Sequence, residues 1–177
     1  MVLDAFLLHA LNGIVGKSAL VDTTVVFCAS YLPWLLVVVF LGWLYFSQFP
    51  KKKKLYIFYV ATLSALISRY GITELIRYFY QRPRPFVTYT DIHALFGSTE
   101  WSFPSGHATF FFALMSIVFL YDKKWGTWLL LATLLMAVGR VIAGVHYPSD
   151  ILGGMCIGMF VAYTVFAISK RFERAEV

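Results

Sequence analysis

The chain has 177 residues, of which 60% are hydrophobic and 14% charged, with a formal net charge of +6 and a mean hydropathy of +0.74. A soluble domain carries about 25% charged residues and about 45–50% apolar ones. The composition therefore excludes a soluble enzyme and points to a single membrane-embedded domain over residues 1–177. Nucleic acid is excluded as a partner, because the basic residues (Lys51 to Lys54, Lys123, Lys124, Lys170, Arg171, Arg174) flank apolar runs and form no continuous basic face.

Residues 2–16 are apolar but short, and are interrupted by Asp4, His9 and Asn12; they read as an interfacial helix or a poorly marked first span. Stretches near the roughly 20 residues needed to cross hydrocarbon follow at about 21–46, 55–79, 105–121, 126–145 and 149–169. The expected fold is an all-α integral membrane protein, a bundle of five to six transmembrane helices. Asp22, at the edge of the first long span, reads as a capping or interfacial residue. In the next span Glu74 and Arg77 share a face at three residues' separation. Arg69 has no partner nearby in sequence and is expected to face the bundle interior or water. Cys28 and Cys156 have no metal-ligand spacing and are expected to be buried as small hydrophobes. Gly153, Gly154 and Gly158 form a small-residue face suited to packing on a neighbouring helix of the same chain, with dimerisation the alternative.

Three polar clusters stand at the edges of these spans. The first, Arg77 to Pro85, ends a helix, which must stop before Pro83. Arg84 lies between two prolines on stiff backbone, and planar guanidinium groups suit bidentate capture of phosphate oxygens, although juxtamembrane arginines also snorkel to headgroups. The second cluster, Pro104-Ser105-Gly106-His107, opens a helix whose free N–H groups favour an anion; Ser105 adds a hydroxyl and His107 a transferable proton. In the third, Arg140 closes one helix and Pro148 starts the next. His146 and Asp150, four apart, allow the carboxylate to hold one ring nitrogen and leave the other as a nucleophile; a purely structural pair is the alternative.

If the lysine-bearing loops 47–54 and 122–125 and the tail are cytoplasmic, all three clusters fall together on the non-cytoplasmic face. The carboxylates there are Asp91, Glu100 and Asp150, too few for a two-metal centre, so no metal is expected. Phe86, Tyr89, Trp101 and Phe103 in the loop 86–104 read as headgroup anchors or as the lining of an entrance.

The clusters resemble the three-part signature of the type 2 phosphatidic acid phosphatase superfamily: Lys-x6-Arg-Pro, Pro-Ser-Gly-His and Ser-Arg-x5-His-x3-Asp. Here these read Arg77-x6-Arg84-Pro85, Pro104 to His107, and Gly139-Arg140-x5-His146-x3-Asp150, in order within about residues 20–170. Arg77 stands for the usual lysine and Gly139 for the usual serine. The resemblance implies a lipid phosphatase without metal or cofactor. In it His146 is the nucleophile, Asp150 orients it, and His107 is acid and then base. Arg77, Arg84, Arg140, Ser105 and the backbone of Gly106 would hold the phosphoryl oxygens. It also implies two partners, the bilayer and a membrane lipid (di)phosphate, and a place in the inner or plasma membrane. The short, outward-facing form resembles the undecaprenyl diphosphate phosphatases of the family, with phosphatidylglycerophosphate or phosphatidate phosphatases as the alternative. A non-catalytic lipid- or anion-binding protein or transporter is the alternative of another class. The oligomeric state is left open by the sequence.

Overall fold

The computed structural model describes residues 2–175, and every regular element among them is helical. In chain order these are α1 (Val2–Asn12), α2 (Ala19–Phe46), α3 (Lys51–Phe79), the single turn α4 (Pro85–Thr88), α5 (Gly106–Tyr121), α6 (Lys123–Ile142) and α7 (Pro148–Ala175). The chain is a multi-pass membrane protein. α2, α3, α6 and α7 are long and apolar enough to cross a bilayer. α5 has 16 residues and α1 has 11. At 1.5 Å per residue they reach about 24 Å and about 16 Å, short of a hydrocarbon core of about 30 Å. Against the expected five to six spans, four helices have full length, and α5 is the buried centre against which α3, α6 and α7 pack.

Glycines set that packing. A Cβ on Gly158 would stand 2.6 Å from the Thr109 carbonyl oxygen, and one on Gly154 would stand 2.7 Å from the Ala108 Cβ. The small-residue face of α7 therefore lies on α5 of the same chain, as expected. Cys156 is exposed on the outside of the bundle and Cys28 is partly buried, against the expectation for both. The outer surface of a membrane bundle is itself apolar, so an apolar residue there need not turn inward.

Two of the long helices carry a widened π-turn. In α2 it covers Phe27–Tyr31, immediately before Pro33, whose missing N–H leaves the Ala29 carbonyl without its usual partner in the next turn. In α3 it covers Ile67–Ile72, where the Thr73 hydroxyl donates to the Ser68 carbonyl at 2.9 Å. Asp22, in the first turn of α2, accepts from the Gly16 N–H at 3.0 Å and ties the preceding loop to the helix, while Ser18 holds the N-cap position. At the lysine-bearing end Asp122 caps α6 and accepts from Trp43 Nε1 at 3.3 Å.

Candidate active site

At the opposite end, the C-terminus of α3, the loop to α5, the first turn of α5 and the α6–α7 connection converge. The chain leaves α6 through Gly144 at φ +75°, a left-handed turn where a Cβ would meet the His93 carbonyl oxygen at 2.9 Å. That turn delivers His146 to the connection two residues before α7, where its side chain is 1% exposed; Asp150, in the first turn of α7, is 0% exposed.

Asp150 is held from four directions. Its Oδ2 accepts from the Tyr147 N–H at 2.8 Å and from the Ser102 hydroxyl, and its Oδ1 accepts from Arg82 Nη1 at 2.7 Å. The fourth contact, from His146 Nδ1 to Oδ2, is 3.3 Å long. On the other side of the ring, Nε2 lies 3.3 Å from Arg84 Nη1. A guanidinium only donates, so Nε2 is the bare nitrogen and Nδ1 carries the proton toward Asp150. Burial, ahead of the opposing hydrogen bond to Asp150, pushes the His146 imidazole down to about 4, so it is neutral at pH 7.

The arginines arrive from three elements. Arg84 donates from Nε to the Glu100 carbonyl at 2.7 Å and from Nη1 to the Val145 carbonyl at 2.8 Å. Burial and the neighbouring charge of Arg77 lower it to about 10, which leaves it charged. Arg77 donates to the Glu100 carboxylate at 2.6 Å, to Glu74 at 3.3 Å and to the Pro104 carbonyl at 3.1 Å. Arg140 donates to the Ala29 carbonyl at 2.9 Å, the group released by Pro33 in α2. Gly139 lies against that same π-turn, with a built Cβ 3.1 Å from the Cys28 Cβ, a close crossing where a serine would crowd it. The Nε atoms of Arg77 and Arg140 are buried with no hydrogen-bond partner among the described residues. Such donors cost about 1–3 kcal/mol each, and phosphoryl oxygens are groups able to satisfy them.

Ser105 is buried at the N-cap of α5, and its own N–H donates to the Asp150 carbonyl at 3.1 Å, tying the second cluster to the third. Gly106 leaves room for Arg69, whose Nε would be 2.5 Å from a Cβ built there. His107 is exposed into a cavity of about 410 Å³ that it shares with Arg69, Trp34 and Phe110. Among the described residues it makes no hydrogen bond to the other predicted site residues, though the charges of Arg140, Arg69 and Arg84 all reach it. Hydrogen bonds thus join Arg77, Arg84, Ser105, His146 and Asp150 into one network, while Arg140 and His107 stand within electrostatic range of it.

Several participants escape a reading by sequence spacing. Arg82 bridges Asp150 to Asp4 Oδ2 at 2.6 Å, donates to the Ser149 hydroxyl at 2.7 Å, and stacks 3.7 Å above the Tyr147 ring. Asp4 also accepts from the Ser149 N–H at 2.9 Å, so α1 is pinned to the start of α7. Glu100 joins Arg69 and Arg77, and Arg69 also pairs with Glu74, partners that the sequence did not single out for it. The available signal was an ionised residue inside an apolar stretch, Asp4 and Arg69 above all. Of the loop aromatics, Phe103 packs on Tyr80, and Tyr89 packs on His9 and Tyr147. Among the described residues no three His, Cys, Asp or Glu side chains gather where they could share a metal ion.

The sequence profile of the PAP2 superfamily matches residues 56–174. Undecaprenyl-diphosphatase BcrC of Bacillus subtilis is 29% identical over 162 residues, covering 90% of this chain and 81% of that protein. Lipid A 4'-phosphatase of Porphyromonas gingivalis is 25% identical over 166 residues, covering 89% of this chain and 69% of that protein. The crystal structure of Aquifex aeolicus LpxE superposes with a TM-score of 0.75 at 24% identity, over 93% of this chain and 95% of that one, and shows the same fold. The profile match takes in most of the chain and every residue of the three clusters. The chain belongs to the PAP2 superfamily, and it is a membrane phosphatase acting on phosphoric esters.

Proposed function

We propose that the protein removes the terminal phosphate of a membrane lipid diphosphate through a phosphohistidine on His146, with undecaprenyl diphosphate as the substrate and undecaprenyl phosphate and phosphate as products. The observation that carries this reading is the pose of His146, with its proton-bearing nitrogen toward Asp150 and its bare Nε2 toward a phosphate-gripping guanidinium. Nε2 attacks the terminal phosphorus, and the bond from phosphorus to the bridging oxygen breaks. That oxygen leaves with the lipid phosphate and takes a proton from His107. Water then attacks the phosphohistidine, His107 takes its proton, and the nitrogen–phosphorus bond breaks to release phosphate.

Arg77, Arg84, Arg140, the Ser105 hydroxyl and the Gly106 N–H hold the equatorial oxygens, where each well-aimed donor supplies about 3–4 kcal/mol of barrier lowering. Because the lysine clusters at 51–54 and 123–124 and the tail lie at the far end of the bundle, the site faces the non-cytoplasmic side of the cell membrane. Similarity to the Bacillus subtilis undecaprenyl-diphosphatase over 90% of this chain supports the choice of lipid. The test is a phosphate-release panel with purified protein in the presence of a chelator, comparing undecaprenyl diphosphate, phosphatidylglycerophosphate and phosphatidate. Highest kcat/KM on the diphosphate is expected. Preference for either glycerophospholipid would overturn the substrate assignment, and strict dependence on added magnesium would overturn the mechanism.

A further inference from the structure

One arginine outside the three clusters, Arg69, lines the same cavity as His107. Arg69 sits in the π-turn of α3, lies over Gly106, and shares with His107 the cavity of about 410 Å³ whose remaining lining includes Pro33, Trp34, Phe110 and Phe111. A lipid whose terminal phosphate meets His146 must pass its bridging oxygen by His107 and its tail into apolar surroundings. The phosphate that carries the tail then arrives beside Arg69.

An anion already bridges this position. The Glu100 carboxylate is held by Arg69 at 2.9 Å through Oε1 and by Arg77 at 2.6 Å through Oε2, two guanidinium groups on one planar anion. Glu100 comes from the long loop and its side chain is half-exposed, so it is an anion that a stronger one can displace without unfolding a helix. A diphosphate presents more charge and more acceptor oxygens than a carboxylate, in the geometry that paired guanidinium groups favour.

We propose that Arg69 is a specificity-determining residue: it binds the lipid-proximal phosphate of a diphosphate substrate, taking it in place of the Glu100 carboxylate, and so makes the site prefer diphosphates to monophosphates. This rests on the hydrolytic reading above. During the first step the lipid-proximal phosphate gains charge as the bridging oxygen departs with the electron pair of the broken bond. Arg69 stabilises that charge while His107 supplies the proton. A monophosphate lipid has no group at this place and gains nothing from Arg69.

The experiment compares wild type with Arg69→Gln on a prenyl diphosphate and on the prenyl monophosphate of the same tail. Loss of a charge-assisted contact of about 1.5–3 kcal/mol corresponds to a fall in kcat/KM of about 10- to 150-fold. This fall is expected for the diphosphate only, with the monophosphate changed by less than about threefold. Equal losses on both substrates, or no loss on either, overturn the proposal. Binding of inorganic pyrophosphate and phosphate, read by thermal stabilisation of the detergent-solubilised protein, supplies a measure independent of turnover. Wild type should favour pyrophosphate, and Arg69→Gln should lose that preference; an unchanged ratio overturns the proposal.

Glu100→Gln keeps both arginines and covers the case in which Arg69→Gln does not fold. It should bind pyrophosphate several-fold more tightly than wild type, and unchanged or weaker binding overturns the proposal. If wild type releases phosphate from no lipid while the pyrophosphate results hold, the hydrolytic reading fails and the anion seat stands.

Discussion

His146 and Asp150 were legible because their relation is local. Four residues' separation across the start of α7 keeps the imidazole within reach of the carboxylate. Arg82 was not legible, because its value lies in contacts with Asp150, 68 residues away, and with Asp4, 78 away. Removing it leaves a fully buried carboxylate oxygen without its charged partner, a loss that costs about 3–5 kcal/mol where nothing relaxes. Arg82→Gln should therefore lower kcat by about 10- to 100-fold with KM nearly unchanged, and Asp4→Asn should do so less. Steady-state kinetics on the diphosphate substrate check this, and a rise in KM alone would place Arg82 in substrate binding instead. The His146 imidazole titrates near 4 because burial outweighs its hydrogen bond to Asp150. It is neutral in the fold but protonated when unfolded between about 4 and 6.5, so stability contributed by this group falls as pH drops through that window. A titration followed by histidine NMR in detergent should show its midpoint well below 6.5; an ordinary midpoint would contradict the buried pose.

The helices differ in how plainly their sequences announce them. Apolar runs mark α2, α3, α6 and α7, and their observed bounds fall within a few residues of the expected spans. The π-turns carry no periodic signature of their own, yet they do much of the positioning: one turns the Ala29 carbonyl toward Arg140, and the other contains Arg69. Pro33 was the available clue to the first. The contact of α7 with α5 was legible in its glycines, and its tightness is measurable. Gly158→Val places a branched side chain where a Cβ already meets the Thr109 carbonyl oxygen at 2.6 Å and the Ala113 nitrogen at 2.9 Å. Overpacking of this kind costs about 1–3 kcal/mol or more, and a lowered thermal midpoint in detergent is expected. Gly153→Ala meets only the Phe103 ring, the outer end of a side chain rather than backbone, so its midpoint should fall less.

Across the bundle, charge is sorted by end, with Lys51–Lys54, Lys123, Lys124 and Lys170 at one and the arginine-rich site at the other. A cysteine placed at Thr88, which is exposed on α4 beside the site, should react with an impermeant maleimide in intact cells once Cys28 and Cys156 are replaced by serine. Labelling only after permeabilisation would invert the proposed orientation. The placement of charge at both ends was readable from composition and order alone. The joining of α1 to the site through Asp4, and the bridging of two arginines by Glu100, needed the folded chain, since both link residues far apart in sequence.

The central claim is tested most directly by trapping the intermediate. Acid-free quenching of wild type with a prenyl diphosphate labelled in its terminal phosphate should yield protein-bound phosphate that is stable to base, labile to acid and located on His146. His146→Ala should give neither the adduct nor released phosphate while remaining folded. Turnover by His146→Ala at the wild-type rate, or label on any other residue, would contradict the account.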